Sequence, residues 1–251
     1  MLSNSDIIEF LNNYLNVESI EDDSNNGVQV DSEQEIYKIG FAVDARIDTV
    51  NEAIQKDADL LIVHHGIIWG GIDRVKGKNY KIIKKMLENG LGLYAAHLPL
   101  DLHPNIGNNA EISNIIGSHN LDSFHDYKGS EIALLSGFEE KKPVIEIKSI
   151  LENEFGRNVD LVKEGPDKVK KVGILTGSGS DAIYEALELG ADLFITGERD
   201  YTAYNTALDE EINLIFGGHY STETLGVKNL QKIIKDKFNV ETFFINRETV
   251  Y

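Results

Sequence analysis

Histidines and carboxylates follow apolar segments of this chain at several places. The first place is the apolar run at residues 60–63, which is followed by His64, His65 and Gly66. A short apolar run that includes β-branched residues predicts a buried strand, and the glycine marks its end. Side chains at the carboxyl end of such a strand lie at the edge of the sheet where α/β folds build their sites. The histidine pair is therefore a candidate for chemistry.

Groups of the same kind follow further along the chain, namely His97, Asp101, Glu198, His219 and Glu223. Imidazole nitrogens and carboxylate oxygens are ligands for first-row metal ions, and the chain has no cysteine to complete a structural zinc site. The set exceeds what one tetrahedral ion requires. It predicts two divalent ions about 3.5–4 Å apart, bridged by a carboxylate and a water.

Two of these residues have alternative roles. His97 is either a metal ligand, a hydrogen-bond donor behind the ligands or a proton shuttle. Glu198 is the other candidate for moving a proton, so His97 and Glu198 are the candidate catalytic residues. For the remaining histidines we expect an ordinary surface or hydrogen-bonded position; these are His103, His119 and His125.

The segments that carry these groups occur twice. At an offset of 133 positions, residues 171–175 and 191–195 overlay residues 38–42 and 58–62, with a shared Lys-x-Gly and a shared Ala-Asp-Leu-x-Ile. Each copy reads as strand, helix and strand, the pattern of a right-handed crossover between parallel strands. Each copy then ends a further strand with His-x-x-x-carboxylate, at His97 and at His219.

This repeat predicts an α/β fold in which two similar α/β lobes, derived from an internal duplication, pack around a central metal-binding cleft. We expect the first lobe at about residues 1–125 and the second at about 126–251, joined in one compact unit. The chain has 251 residues, 41% apolar and 26% charged, which is typical of a globular protein.

The charge and the N-terminal residues narrow the class of protein. A net charge of −18 argues against a protein that binds the nucleic-acid backbone. The N-terminal residues lack the basic and apolar segments of a secretory signal, and no window approaches the roughly 18 apolar residues of a membrane span. We therefore expect a soluble, cytoplasmic protein that does not bind membranes.

Five motifs together resemble one known family. They are His64-His65-Gly66-x-x-Trp69-x-Gly71, His97-Leu98-Pro99-Leu100-Asp101-x-His103-Pro104, Gly107-Asn108-Asn109-Ala110, Gly217-Gly218-His219-Tyr220-x-Thr222-Glu223 and the earlier Ser24-Asn25-Asn26-Gly27-Val28-Gln29-Val30. The chain is similar over its whole length to the Nif-three-like family, in the short form without an inserted middle domain. Bacterial members of that family are known as GTP cyclohydrolase 1 type 2 homologues.

The resemblance implies a dinuclear metal centre between two α/β lobes. The metal ligands it implies are His64, His65, Asp101, His219 and Glu223, with Glu223 as the bridge. It also implies a ring-shaped homohexamer and, through the family's name, a purine nucleotide substrate such as GTP. Arg199 and Asp200 have no counterpart in the motifs and stay unassigned at this stage.

Three classes of function are compatible with these residues. The first is a metal-dependent hydrolase of the GTP cyclohydrolase 1 type 2 kind that acts on a nucleotide-like substrate. The second is a metal chaperone or storage protein without turnover, and the third is a scaffold or partner-binding protein that its metals stabilise. Mixed nitrogen and oxygen ligands accept iron, manganese, zinc, nickel or cobalt, so the ligand types leave the metal open.

Overall fold

A computed structural model of the chain describes residues 4–249, and its contacts group them into two compact units. The first unit extends to Leu100 and adds Gly226–Arg247, whereas the second contains Asp101–Leu225 and the residues after Arg247. The expected lobes, residues 1–125 and 126–251, followed chain order. The contacts instead return residues 226–247 to the first unit, because the last strand of the chain pairs with that unit's sheet.

The first unit contains one mixed sheet and its helices. Its elements in chain order are α1 (Asn4–Leu15), a 3-10 turn (Val17–Ser19), β1 (Gly27–Val30), β2 (Lys38–Asp44), α2 (Ile47–Gln55), β3 (Leu60–His65), α3 (Gly77–Asn89), β4 (Gly92–Ala95) and α4 (Leu98–Asp101). The strand order is β1-β4-β3-β2-β11, where β11 (Glu241–Phe244) is the last strand of the chain. All neighbours are parallel except β1, which is antiparallel to β4.

The second unit contains the other sheet. Its elements are α5 (Asn108–Ile116), β5 (His119–Tyr127), β6 (Ser130–Pro143), α6 (Val144–Phe155), β7 (Asp160–Val162), β8 (Lys168–Leu175), a 3-10 turn (Ser180–Ala182), α7 (Ile183–Glu188), β9 (Leu193–Thr196), α8 (Tyr201–Asp209), β10 (Asn213–Phe216) and the start of α9 (His219–Phe238). The strand order is β5-β6-β8-β9-β10-β7.

Four neighbouring strands have the same order in both sheets, which confirms the prediction of an α/β fold with two similar lobes. The parallel strands β2, β3 and β4 correspond to β8, β9 and β10. An antiparallel strand then pairs with the outer edge of each set, β1 on β4 and β7 on β10. The central strands are buried along their length, which explains why they read as continuous apolar runs.

The aspartate that the two copies share accepts equivalent backbone hydrogen bonds in each unit. One carboxylate oxygen of Asp59 accepts hydrogen bonds from the backbone N–H groups of Tyr37 and Lys38, at 2.8 and 2.9 Å. One oxygen of Asp192 accepts from the N–H groups of Lys170 and Lys171, at 2.6 and 3.1 Å. Each aspartate precedes the middle parallel strand and fixes the backbone of the strand beside it. The repeat in the sequence is therefore a repeat of hydrogen bonding.

Two elements differ from the expectation. β5 was not predicted, because its sequence is mostly polar and its residues are largely exposed, so it lacks the apolar alternation that marks a strand. It forms a hairpin with β6 through Lys128 and Gly129, whose φ angles of 53° and 82° are those of a two-residue hairpin turn. The apolar spacing of residues 225–238 predicts an amphipathic helix from Leu225, and the structure begins this helix, α9, six residues earlier at His219. Across residues 4–249, no helix combines the length and apolar composition that crossing a bilayer requires.

The paired aspartates give a test of the duplicated hydrogen bonding. Asp59→Ala and Asp192→Ala each leave two backbone N–H groups without their acceptor, so we expect each to lower the free energy of unfolding by about 1–3 kcal/mol. Urea denaturation measures both, with Asp73→Ala on an exposed loop as the control. A loss of stability in only one of the two variants would contradict the equivalence of the two aspartates.

Candidate metal site

Three imidazoles lie together at the carboxyl end of the first unit's parallel strands. His64 and His65 end β3, and His97 follows β4. One ring nitrogen from each lies within 4.8 Å of the others. The ring centroid of His64 is 4.6 Å from that of His65 and 5.0 Å from that of His97. The structure thus brings His97 into the same group as the histidine pair.

Each of these rings is oriented by an oxygen atom at Nδ1. Nδ1 of His64 donates to the carbonyl of Ala96 at 2.9 Å, and Nδ1 of His65 donates to Asp44 at 2.9 Å. Because the acceptors are oxygens, Nδ1 carries the proton in both rings, and the lone pair of the neutral ring is on Nε2. A hydrogen bond from the other ring nitrogen to a carbonyl or carboxylate is typical of metal-binding histidines.

His97 is held by a cluster from the loop before β1. Its Nδ1 donates to both oxygens of Asp22 at 3.0 Å, and its backbone N–H donates to Oδ1 of Asn26 at 2.8 Å. Burial raises the pKa of the Asp22 carboxyl, but the hydrogen bond and charge of His97, with bonds from Asn26 and Ser24, outweigh it and hold the pKa well below its usual range. Asp22 is therefore a carboxylate that fixes the ring of His97.

Gln29 supports the turn that follows the histidine pair. Its Oε1 accepts from the backbone N–H groups of Ile67 and Ile68, at 2.7 and 3.1 Å. A Cβ atom added at Gly66 would lie 2.3 Å from that same oxygen, so any side chain there would displace the glutamine. Gly66 thus permits the close approach of Gln29 as well as ending β3.

In the second unit, His219 and Glu223 are the counterparts of His97 and Asp101 in the sequence repeat. They lie one helical turn apart at the start of α9, and Nε2 of His219 is 2.9 Å from Oε2 of Glu223. Nδ1 of His219 is 2.8 Å from Oε1 of Glu198. Burial lowers the pKa of His219, but Glu223 and Glu198 outweigh it and raise the pKa to about 9. Because a metal binds the neutral imidazole, a metal ion and a proton compete for this ring.

Gly177 packs directly against the carboxylate of Glu223. Its φ is +68°, and an added Cβ would lie 2.3 Å from Oε1 of Glu223. Its carbonyl accepts the backbone N–H of Glu198 at 2.8 Å. Its own N–H donates to Oγ1 of Thr222 at 3.3 Å. Thr222 and Ser221 are hydroxyl residues that could cap a helix carrying Glu223, but the structure places both of them inside α9.

The remaining predicted ligand, Asp101, is buried at the end of α4, where its Oδ1 accepts a 2.6 Å hydrogen bond from Nδ2 of Asn108. His103, His119 and His125 belong to none of the clusters of potential ligands among residues 4–249. His125 pairs with Glu185 at 2.8 Å, and Nδ1 of His103 accepts from backbone N–H groups. These contacts agree with the ordinary roles expected for His103 and His125.

Taken separately, each unit contains donors of the kinds that divalent first-row ions bind. The first unit has imidazole nitrogens oriented through Nδ1, and the second has the imidazole of His219 and the buried carboxylates of Asp101 and Glu223. The roles predicted for His97 and Glu198 in catalysis stay predictions. What the structure adds is that His97 groups with His64 and His65, and that Glu198 hydrogen-bonds the ring of His219.

Sequence reasoning assigned no role to the residues that orient these groups, namely Asp22, Asp44 and Asn108. A signal existed for Asp44, because it ends the strand beside β3 and is the register partner of His65. Asp22 had a weaker signal, a polar stretch before β1, and nothing in its spacing connects it to a histidine 75 positions later. Asn108 lies within a motif that starts a helix.

The contact between Gly177 and Glu223 gives a prediction with a matched control. Gly177→Ala places a methyl group against the carboxylate, so we expect it to lower metal content after reconstitution with Mn²⁺ or Zn²⁺. Gly156 has the same backbone strain, with φ of +66°, but an added Cβ there meets nothing within 4 Å. Both variants should lose about 1 kcal/mol of stability from the positive φ.

The measurement is metal content by mass spectrometry beside the thermal midpoint of each variant. Only Gly177→Ala should lose metal. Equal metal content in the two variants would show that the carboxylate position does not depend on this glycine.

Three comparisons place the chain among known proteins. It is 44% identical over 99% of both chains to a Pyrococcus abyssi protein named GTP cyclohydrolase 1 type 2 homolog. It superposes on the solved structure of ybgI, a protein of unknown function, with a TM-score of 0.92 and 29% identity, over the full length of both chains. It superposes on TTHA1606 from Thermus thermophilus with a TM-score of 0.86 and 30% identity, again over the full length of both. The family model described as Duf34/NIF3 (NGG1p interacting factor 3) matches residues 2–250, so the chain belongs to the Duf34/NIF3 family.

Proposed function

We propose that this protein is a metal-dependent hydrolase that acts on a nucleotide-like substrate. Two divalent ions per chain would be held by His64, His65, Asp101, His219 and Glu223. The observation that carries the proposal is the orientation of the imidazoles: His64, His65 and His219 each have an oxygen acceptor at Nδ1. This arrangement directs Nε2 for ligation and makes the ring a better electron donor.

The chemistry of the ligands supports two ions. Three imidazoles and two carboxylates are more donors than one tetrahedral ion uses, and a carboxylate such as that of Glu223 has two oxygens with which to bridge. Asp101 and Glu223 are buried, and a buried carboxylate is stable only with a compensating charge or hydrogen bonds.

Divalent ions bound by these residues would supply Lewis acidity and lower the pKa of water. The chain itself would position and transfer protons. Glu198 orients His219 and is half exposed, with a side-chain exposure of 48%, so its carboxylate would be in reach of both His219 and solvent for proton transfer. Asp22 fixes the ring of His97, which leaves Nε2 of His97 to bind an ion or to carry a proton.

The nucleotide-like substrate is proposed from the relatives. The Pyrococcus abyssi protein, 44% identical, carries the name GTP cyclohydrolase 1 type 2 homolog, as do relatives from Archaeoglobus fulgidus and Deinococcus radiodurans. A purine nucleotide whose ring is opened by water is the substrate class which that name suggests for this chain.

Metal content and turnover test the proposal together. We expect about two ions per chain after reconstitution with Mn²⁺, and about one or fewer in His219→Ala. Glu223→Gln keeps the shape of the side chain but removes its charge, so it should retain the fold and lose at least about 100-fold in turnover on a nucleotide panel. The assays are elemental analysis, circular dichroism and product detection by chromatography.

His119→Ala is the matched control, because His119 is an exposed histidine outside the proposed ligands. It should keep both metal content and turnover. Fast metal exchange without turnover on any nucleotide would favour a metal chaperone or store. Unfolding of Glu223→Gln would favour a scaffold that the metals stabilise.

We also propose a homohexamer, as the resemblance to the family implies. An exposed apolar face on α8 supports association between copies: the side chains of Tyr201, Tyr204 and Leu208 are 80, 42 and 37% exposed. Exposed apolar clusters of this kind mark protein–protein contact surfaces.

Sedimentation analysis should give a mass six times that of the chain. Charge introduced on α8 by Tyr201→Glu with Leu208→Glu should produce smaller species, because it would bury two carboxylates in a contact. Tyr80→Glu, at a 50% exposed tyrosine of the first unit, is the control. A monomer in the unmodified protein would contradict the proposal.

A further inference from the structure

A cavity of about 320 Å³ lies in the second unit, next to Glu198. Arg157 and Asp160 line it from the segment around β7, Glu198 and Arg199 from the loop after β9, and Phe216 from the end of β10. Its size is within the range of small-molecule sites. Glycines at 197, 217 and 218 form part of the wall, so a ligand can approach the backbone closely there.

The cavity brings two arginines, Arg157 and Arg199, together with two carboxylates, Asp160 and Glu198. The chain has a net charge of −18 and only five arginines, and two of the five line this one cavity. Arg157 is partly buried, with a side-chain exposure of 26%; its Nη1 donates to the carbonyl of Thr249 at 3.1 Å and lies 3.7 Å from Oε1 of Glu248. Arg199 is 74% exposed and forms an ion pair with Asp160.

Arg199 reaches the cavity because of its neighbour in sequence. Asp200 caps the N-terminus of α8, where its Oδ1 accepts the backbone N–H of Ala203 at 2.7 Å. The cap fixes the backbone one residue after Arg199, and the guanidinium contacts Asp160 across the cavity wall. This accounts for the Arg199-Asp200 pair, which the sequence motifs had left unassigned.

The cavity is also next to a proposed metal ligand. Glu198 lines it, and the same carboxylate is 2.8 Å from Nδ1 of His219. A ligand in the cavity would therefore lie beside the His219 and Glu223 pair. The ring of Phe216, which is 6% exposed, adds an apolar contact suited to a flat group.

We propose that this cavity binds the phosphate group of a phosphorylated small molecule, with Arg157 and Arg199 as the residues that contact the phosphate. A guanidinium presents paired N–H donors that match phosphate oxygens. In this assignment Asp160 is an internal anion that occupies Arg199 until the ligand takes its place. This inference deepens the proposed hydrolase function, because it names the two arginines that would bind the substrate. Its connection to turnover rests on that proposed function.

The test measures binding of inorganic pyrophosphate to the full chain by isothermal titration calorimetry, with the metals loaded and again after chelation. Arg199→Gln should weaken binding about tenfold, the effect of losing one charge-assisted contact. Arg157→Gln should weaken it by a similar factor. Asp160→Asn should strengthen binding about threefold or more, because it removes the competing anion from Arg199.

Arg46→Gln is the matched control, since Arg46 is an exposed arginine that pairs with Asp48 in the first unit. It should leave the affinity unchanged. Arg199→Gln and Asp160→Asn break the same ion pair, so a general loss of structure would change the affinity for pyrophosphate in the same direction in both. The inference instead predicts a lower affinity in Arg199→Gln and a higher affinity in Asp160→Asn.

Two results would overturn the inference. One is equal affinity in Arg199→Gln and Arg46→Gln. The other is binding that disappears on chelation and does not depend on either arginine, which would place pyrophosphate on the metals. Failure of the proposed hydrolase function would give a different result. Pyrophosphate binding would still depend on the arginines after chelation, but the metal-loaded protein would turn over no nucleotide.

Discussion

The orientation of the histidine pair depends on the register between neighbouring parallel strands, because that register places an oxygen atom at the Nδ1 of each histidine. Asp44 of β2 is the register partner of His65 on β3, and the carbonyl that accepts from His64 follows β4. A slip of one residue would turn each side chain to the other face of the sheet. The buried apolar strands that fix the register therefore also fix the orientation of the imidazoles.

The two copies share their strands and the hydrogen bonds that anchor them, and they differ in the residues at the carboxyl end of the middle strand. Asp59 and Asp192 anchor equivalent strands through equivalent hydrogen bonds. Where the first copy has two histidines, the second has Gly197 and Glu198, and the glutamate orients His219 instead of adding an imidazole. Duplication of the framework thus left the strand ends open to different chemistry, as is general for sites built on α/β sheets.

Much of this could be predicted from the sequence because it rests on local pattern. The apolar runs gave the parallel strands, and the spacing of His219 and Glu223 gave two side chains one helical turn apart. The contacts of Asp22 with His97 could not be predicted, because a polar loop carries no signal of what it will contact. The arginine cavity was missed for the same reason, since its wall comes from three separate segments. β5 was missed because exposed hairpin strands need no apolar face.

The fit of Gln29 against Gly66 has a consequence for how this protein can vary. The amide oxygen of Gln29 occupies the volume that a side chain at position 66 would need, and it holds two backbone N–H groups of the following turn. A larger residue at 66 therefore requires Gln29 to move or to be replaced by a shorter residue, and either change would leave those N–H groups to another acceptor. The two positions, 37 apart in the chain, are thus coupled in one direction: substitution of Gly66 imposes a change on Gln29, whereas a shorter residue at 29 does not clash with Gly66.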